Sequence, residues 1–187
     1  GHLLQWQSKS ALELPSFRAA AWTSFPGLFA RGGVDIMTAL LLQVLPAVPT
    51  RGRALDFCCG SGVIGAVLAS RGGQRLRVTM LDADVIALEA ARRNVPRAEF
   101  VLSDGFATLP RKPRFELIVS NPPVHNGLQS CFRILRSLLR DAARYLRPGG
   151  SLWFVCQSYV PANHIWATAC ASRNKKSLSD LHVAFED

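Results

Sequence analysis

An α/β fold, a mostly parallel sheet of seven strands with helices on both faces, is predicted by three observations. Short apolar runs alternate along the chain with segments of helical periodicity. The strand-like runs end on glycines, prolines or acidic residues, at the places where parallel βα units hold ligands. The 187 residues are 49% hydrophobic and 19% charged, a balance that supports a sizeable core in one ordinary domain.

The elements follow in order. Residues 16–22 read as an edge strand, and Phe25-Pro26-Gly27 as a turn. Residues 38–45 are apolar with helical spacing and stop before Pro46 and Pro49. Residues 53–58 form a short buried strand that runs into glycines, and 63–70 a helix closed by Gly72 and Gly73. A strand over 76–81 leads to a helix over 84–94, with Asp84 placed as its cap. Strands are expected over 99–102 and 115–120, then a long helix over 128–146, ended by Arg147-Pro148-Gly149-Gly150. A strand over 151–156, a helix over 164–172 and a last strand over 182–186 complete the alternation.

The net charge of +9 favours a polyanionic partner, nucleic acid first. Five cysteines at 58, 59, 131, 156 and 170 show neither a disulfide framework nor zinc spacing, so reduced thiols in an intracellular protein are expected. No apolar run is long enough to span a membrane, and the N-terminus lacks a secretory pattern. A cytoplasmic location is expected, or a mitochondrial one if a targeting peptide has been removed.

Four motifs occupy successive strand ends. In the first, Gly60 and Gly62 let backbone approach a ligand, and the helix that follows presents free N–H groups to a carboxylate. Asp56 can attract an ammonium group directly or through water; a plain glycine-rich turn is the alternative. In the second, Asp82, followed by Ala83, can accept both hydroxyls of a ribose. In the third, Asp104 can accept an adenine amino group while Gly105 and Phe106 line the ring pocket, or the segment is an ordinary Asp-Gly turn. In the fourth, Pro122 and Pro123 stiffen a loop and fix the Asn121 amide oxygen and the Pro122 carbonyl. Together these two accept both hydrogens of a planar NH₂ group, while the Asn121 NH₂ anchors elsewhere; a rigid turn with a capping Asn is the alternative.

Taken together, these motifs resemble class I methyltransferases dependent on S-adenosylmethionine (SAM), of the methyltransferase small domain type. The likeness is greatest to the branch that methylates guanine N2 in ribosomal RNA. It rests on the stretch from Phe25 to Asp35, on Asn121-Pro122-Pro123 with the His125-Asn126-Gly127 continuation, and on the turn from Leu146 to Trp153. The resemblance implies a Rossmann-like fold, SAM as cofactor with S-adenosylhomocysteine as product and no metal, and rRNA or a ribosomal subunit as partner. It implies a cofactor site of Phe29, Asp56, Cys58, Gly60, Ser61, Gly62, Asp82, Ala83, Asp104, Gly105, Phe106 and Asn121. Asn121, Pro122, Pro123 and Val124 would form the catalytic loop. Residues 1–24 become an N-terminal extension and 25–187 the methyltransferase domain. In that branch a degenerate N-terminal methyltransferase-like domain usually precedes the catalytic one, and these residues contain no counterpart of it.

Two positions depart from the family pattern. Cys58 stands where a glycine is usual, and Val124 where an aromatic ring stacks on the target base, a contact worth roughly 1–3 kcal/mol. Phe25, Phe29 and Trp22 are the other rings that could serve. Arg31, Arg111, Lys112 and Arg114 are the expected phosphate contacts. His125 is expected to shape the loop or touch phosphate rather than act as a base. Arg133, Arg136, Arg140, Arg144 and Arg147 share one helical face, either a solvated surface or a second RNA contact, opposite an apolar stripe that includes Leu135, Leu139 and Ala142. Rival readings on the same loop are protein glutamine N5-methylation and adenine N6-methylation; another is a non-catalytic rRNA-binding assembly factor.

Overall fold

The computed structural model describes residues 8–14, 17–110, 115–123, 132–171 and 181–186. It contains β1 (Ser8–Leu14), β2 (Phe17–Ser24), a 3-10 turn (Phe29–Gly32), α1 (Ile36–Val44), β3 (Gly52–Phe57), α2 (Val63–Gly72), β4 (Leu76–Asp82) and α3 (Val85–Asn94). β5 (Glu99–Leu102), β6 (Phe115–Ser120), α4 (Arg133–Tyr145), β7 (Leu146–Gln157), α5 (Ala162–Ala171) and β8 (Leu181–Glu186) follow. None of the described helices is long and apolar enough to cross a membrane.

Strands β3 to β8 make one sheet in the order β5-β4-β3-β6-β7-β8. All of its pairings are parallel. The order reverses between β3 and β6, and a crevice opens at such a switch point beyond the carboxyl ends of the strands. Because side chains alternate along a strand, the sheet has two buried faces. On β3, Ala54 turns to the face covered by α1, α2 and α3, whereas Leu55 and Phe57 turn to the face covered by α4 and α5.

The expected count of seven strands is corrected to six in this sheet, among the described residues. The seventh was to be the edge strand over 16–22. It lies in β2, which pairs antiparallel with β1 in a separate two-stranded sheet. β1 was not foreseen, because Ser8–Leu14 mixes polar residues with two leucines and carries no turn signal beyond Pro15. The hairpin docks on α3 through Asn94, whose Nδ2 donates to the Thr23 carbonyl (2.9 Å) and the Ser61 carbonyl (3.0 Å). Thr23 N–H donates back to Asn94 Oδ1 at 2.7 Å. Leu12, Leu14 and Trp22 enter the core on the α1–α3 side.

Helix ends follow their capping residues. Asp84 accepts from the Ile86 N–H at 2.8 Å and starts α3, as expected. Asp35 does the same for α1, accepting from the Met37 and Thr38 N–H groups. α4 begins at Arg133 rather than at 128, and residues 124–131 lie outside the described set. Arg147 to Gly150 belong to β7 instead of ending the helix as a loop.

Asn94 joins three backbone groups from two segments, and each neutral hydrogen bond contributes about 0.5–1.5 kcal/mol. Asn94→Ala should therefore lower stability by about 2–4 kcal/mol, read as a fall in the urea midpoint with an unchanged m-value. A midpoint equal to that of the unsubstituted protein would show that the hairpin is not held this way.

Candidate active site

A cleft of about 420 Å³ opens where the sheet order reverses, lined by Leu28, Phe29, Asp35, Met37, Cys58, Gly60, Asp82, Ala83, Gly105, Asn121, Pro122 and Pro123 among others. Its size falls within the usual range for small-molecule sites. Each of the four strand-end motifs meets it through a residue that the sequence points to: Cys58 and Gly60, Asp82 and Ala83, Gly105, and Asn121 with Pro122 and Pro123.

The glycine turn after β3 is the cleft floor. Cys58 adopts φ 60°, Gly60 φ 54° and Gly62 φ 94°, all left-handed. A side chain at Cys58 is strained there, which is the physical reason a glycine suits the position. Nothing lies within 4 Å of where a Cβ on Gly60 would stand, so the backbone faces open space. Gly62 is different: a Cβ there would meet Ala91 at 3.2 Å, so it serves close packing of α2 on α3 rather than the cleft wall. Ser61 is buried, and its Oγ accepts from Trp22 Nε1 at 3.3 Å. The hairpin thus buttresses the turn from behind.

Asp82 Oδ2 accepts from the Gly60 N–H at 2.8 Å, and Oδ1 from the Asp84 N–H at 3.0 Å. A carboxylate offers about four lone-pair sites, so acceptor capacity remains for a hydroxyl. Burial pushes Asp82 above the ordinary carboxylate value, opposed by those N–H groups.

Asp56 stands elsewhere than expected. It is fully buried beneath α2, absent from the cleft wall, and accepts from the Gly65 N–H at 2.7 Å. Its Oδ1 has no hydrogen-bond partner among the described residues. Direct contact with a ligand ammonium is corrected to a place under the turn, where the carboxyl holds the start of α2 through Gly65. Burial pushes it up to about 7, the Gly65 N–H pulls it down, and the nearby Asp82 charge raises it.

The third motif is divided. Gly105 and Ser103 line the cleft. The Asp104 carboxylate instead faces α4 and forms a two-point pair with Arg133, at 2.8 and 3.0 Å. Both partners are more than half exposed, so solvent weakens the pair and it does not lock Asp104 in place. Phe106 is buried in the core, stacked on Tyr145 (centroids 4.4 Å apart) and against Phe57 (4.7 Å). It supports the loop and does not line the ring pocket.

At the opposite wall, Asn121 Nδ2 donates to Asp35 Oδ2 (3.0 Å) and to Thr38 Oγ1 (2.9 Å). The NH₂ anchor expected for Asn121 is thus supplied by α1 and its cap. Neither Asp35 nor Thr38 was singled out as a site residue. The available signal was an acidic residue just before an apolar helix, which reads as a cap and nothing more. Of the rings considered for stacking, Trp22 and Phe25 are buried at 2%, whereas Phe29 is 65% exposed at the cleft. Cys156 and Gln157, at the end of β7, also line the cleft and were not foreseen.

A second, wider groove of about 1280 Å³ runs along α4, lined by Asp104, Arg133, Arg136, Arg140 and Arg144. It abuts the cleft, since Gly105 and Ile134 border one while Asp104 and Arg133 border the other. Asp141 pairs with Arg140 (2.7 Å) and Arg144 (3.2 Å), and Arg147 pairs with Glu116 away from the groove. Leu135, Leu139 and Ala142 form the buried side, as the periodicity predicts. Arg31 is exposed, beside the cleft in sequence; Arg111, Lys112, Arg114, Val124 and His125 lie outside the described residues.

The methyltransferase small domain model matches residues 20–177. A "Ribosomal RNA small subunit methyltransferase C" of Cronobacter sakazakii is 36% identical over 79% of this chain and 46% of its own length. One of Ectopseudomonas mendocina is 43% identical over 73% of this chain and 41% of its own length. Among solved structures, a 16S rRNA N2 methyltransferase of T. thermophilus, in complex with AdoMet and guanosine, matches with TM-score 0.76 and 25% identity. That match covers 88% of this chain and 46% of the other. The chain therefore spans less than half the length of these relatives.

Because folding raises the proton affinity of Asp56, the folded state holds more protons than the unfolded chain between about pH 4 and 7. Stability from this group is full below that window, falls as pH rises through it and is level above. Asp56→Asn keeps an acceptor for Gly65 and removes the titration. Urea unfolding across that window should show the unsubstituted protein losing stability relative to the variant. The loss is on the order of 1.4 kcal/mol for each tenfold difference in proton affinity between the folded and unfolded states. Parallel stability profiles for the two proteins would contradict the buried, raised Asp56.

Proposed function

Since the chain belongs to the methyltransferase small domain family, we propose that it is a SAM-dependent N-methyltransferase acting on guanine N2 of ribosomal RNA. The observation that carries this reading is the Asn121 amide, anchored by its NH₂ and standing beside Pro122 on the wall of a nucleoside-sized cleft. The residues present fit the cofactor. Asp82 keeps acceptor capacity for a ribose diol, Gly60 leaves open space in front of its backbone, and Leu28, Met37 and Ile134 give apolar walls.

When bound, SAM supplies a methyl group on a cationic sulfur. The protein's part is to present the acceptor nitrogen. Asn121 Oδ1 and the Pro122 carbonyl accept the two hydrogens of the planar amino group and draw its lone pair out of conjugation. Pro123 holds the loop stiff, so this geometry is set before substrate arrives, which is catalysis by position and electrostatics. No side chain is needed as a base, because the alkylated nitrogen is acidic and its proton goes to water. Phe29, exposed at the mouth, takes the stacking role that Val124 cannot fill. The target base leaves its stack to enter.

The basic surface suits RNA. Arg31, with Arg111, Lys112, Arg114 and His125, is proposed to meet phosphates beside the mouth, and the α4 groove to carry the flanking strand. Residues 1–24 serve as an extension to the domain over 25–187. A substrate of that kind is met on assembling ribosomes, in the cytoplasm.

The test is methyl transfer from radiolabelled SAM to undermethylated rRNA. Label should appear on guanine N2, fall by about 10²–10³-fold in Asn121→Ala, and weaken steeply with added salt. SAM binding without transfer to any RNA would favour an assembly factor instead, label on a glutamine amide would favour a protein substrate, and absence of SAM binding would sink the cofactor assignment as well.

A further inference from the structure

We infer that Asp35 and Thr38 are positioning residues that fix which end of the Asn121 amide faces the cleft. The inference rests on the N-methylation reading above and deepens it. A primary amide is nearly symmetric in shape, and its two ends differ only in hydrogen bonding. Which end points at the substrate decides what the site accepts. An exposed Oδ1 receives an amino group, whereas an exposed NH₂ would repel one and prefer a carbonyl.

The neighbours of Asn121 settle the choice. Asp35 Oδ2 lies 3.0 Å from Asn121 Nδ2, and an ionised carboxylate only accepts. The flipped amide would set two oxygens against each other at that distance. Thr38 Oγ1 takes the second N–H at 2.9 Å, and Thr38 is itself buried. Both amide hydrogens are therefore used by α1 and its cap. Asp35 is held in turn, since the same Oδ2 accepts from the Met37 N–H (3.1 Å) and the Thr38 N–H (3.4 Å) at the start of α1. One carboxylate oxygen thus caps a helix and orients the amide. α1 packs on β7, so the orientation is referred to the rigid sheet rather than to the loop. The specificity for an amino-bearing target is set here, one residue behind the atom that touches it.

Capping and clamping can be separated. Asp35→Ser keeps a good cap but is too short to reach Asn121; Thr38→Val keeps the shape and removes the acceptor. Asp35→Asn keeps an acceptor for both tasks. The double variant Asp35→Ser/Thr38→Val should lose about 10²-fold in kcat, with KM for RNA and the affinity for S-adenosylhomocysteine within about 2-fold and thermal stability close to that of the unsubstituted protein. Asp35→Asn should restore most of kcat. An unchanged kcat in the double variant overturns the inference. So does a loss matched by equal losses of stability and S-adenosylhomocysteine affinity, which would mean a purely structural role. If the unsubstituted protein methylates no RNA, the reading of function fails, and the clamp is judged by the Asn121 side-chain amide in NMR. Slow hydrogen exchange that becomes fast in the double variant supports the clamp, and equal exchange in both overturns it.

Discussion

Asp82 ties together three parts of the cleft. Through Oδ2 it holds the Gly60 N–H of the turn after β3, and through Oδ1 the Asp84 N–H at the start of α3. Its own backbone carbonyl receives Ser103 N–H from the loop after β5, while the neighbouring Leu81 carbonyl receives Cys59 N–H. The left-handed backbone at Cys58 needs such ties, because a strained turn persists only when its surroundings determine it. The cost is a partly desolvated acid close to another, Asp56, and both are pushed above the ordinary carboxylate value. Burial also lifts the Cys58 and Cys59 thiols well above their usual value, which disfavours their thiolate forms.

The two walls of the cleft answer different chemical demands. The β4 wall gathers acceptors suited to hydroxyls. The β6 wall gathers a stiffened amide whose donors are already used on α1. Asp82 places a carboxylate on the cleft wall, while the outer surface along α4 is rich in arginine. This polarity, acidic inside and basic outside, fits the proposed pairing of a cationic methyl donor with a polyanionic acceptor.

Much of the fold was legible because strand and helix periods differ and the punctuation was strong. Gly72 and Gly73 closed α2, Asp84 capped α3, and the apolar stripe of α4 named its buried face. The cleft was legible at Cys58, Gly60, Asp82, Gly105 and Asn121, where residue type reports backbone need or hydrogen-bonding capacity. Side-chain direction was not legible. Asp104 and Phe106 are adjacent to the cleft in sequence, yet one is drawn to Arg133 and the other into a stack with Tyr145. Asp56 sits on the strand face that α2 covers, a matter of which way one residue of β3 points. Asp35 and Thr38 stayed hidden because their partner lies more than 80 positions away, and pairwise geometry of that range is not written in local pattern.

The cleft is proposed to hold a nucleoside through the Asp82 carboxylate. Calorimetric titration with S-adenosylhomocysteine and with its 2′,3′-dideoxy analogue tests it without altering the protein. Removing the two hydroxyls should weaken binding by about 2–4 kcal/mol, since hydrogen bonds to a charged group contribute about 1.5–3 kcal/mol each and do not add fully. Equal affinity for the two compounds, or no binding of either, would contradict it.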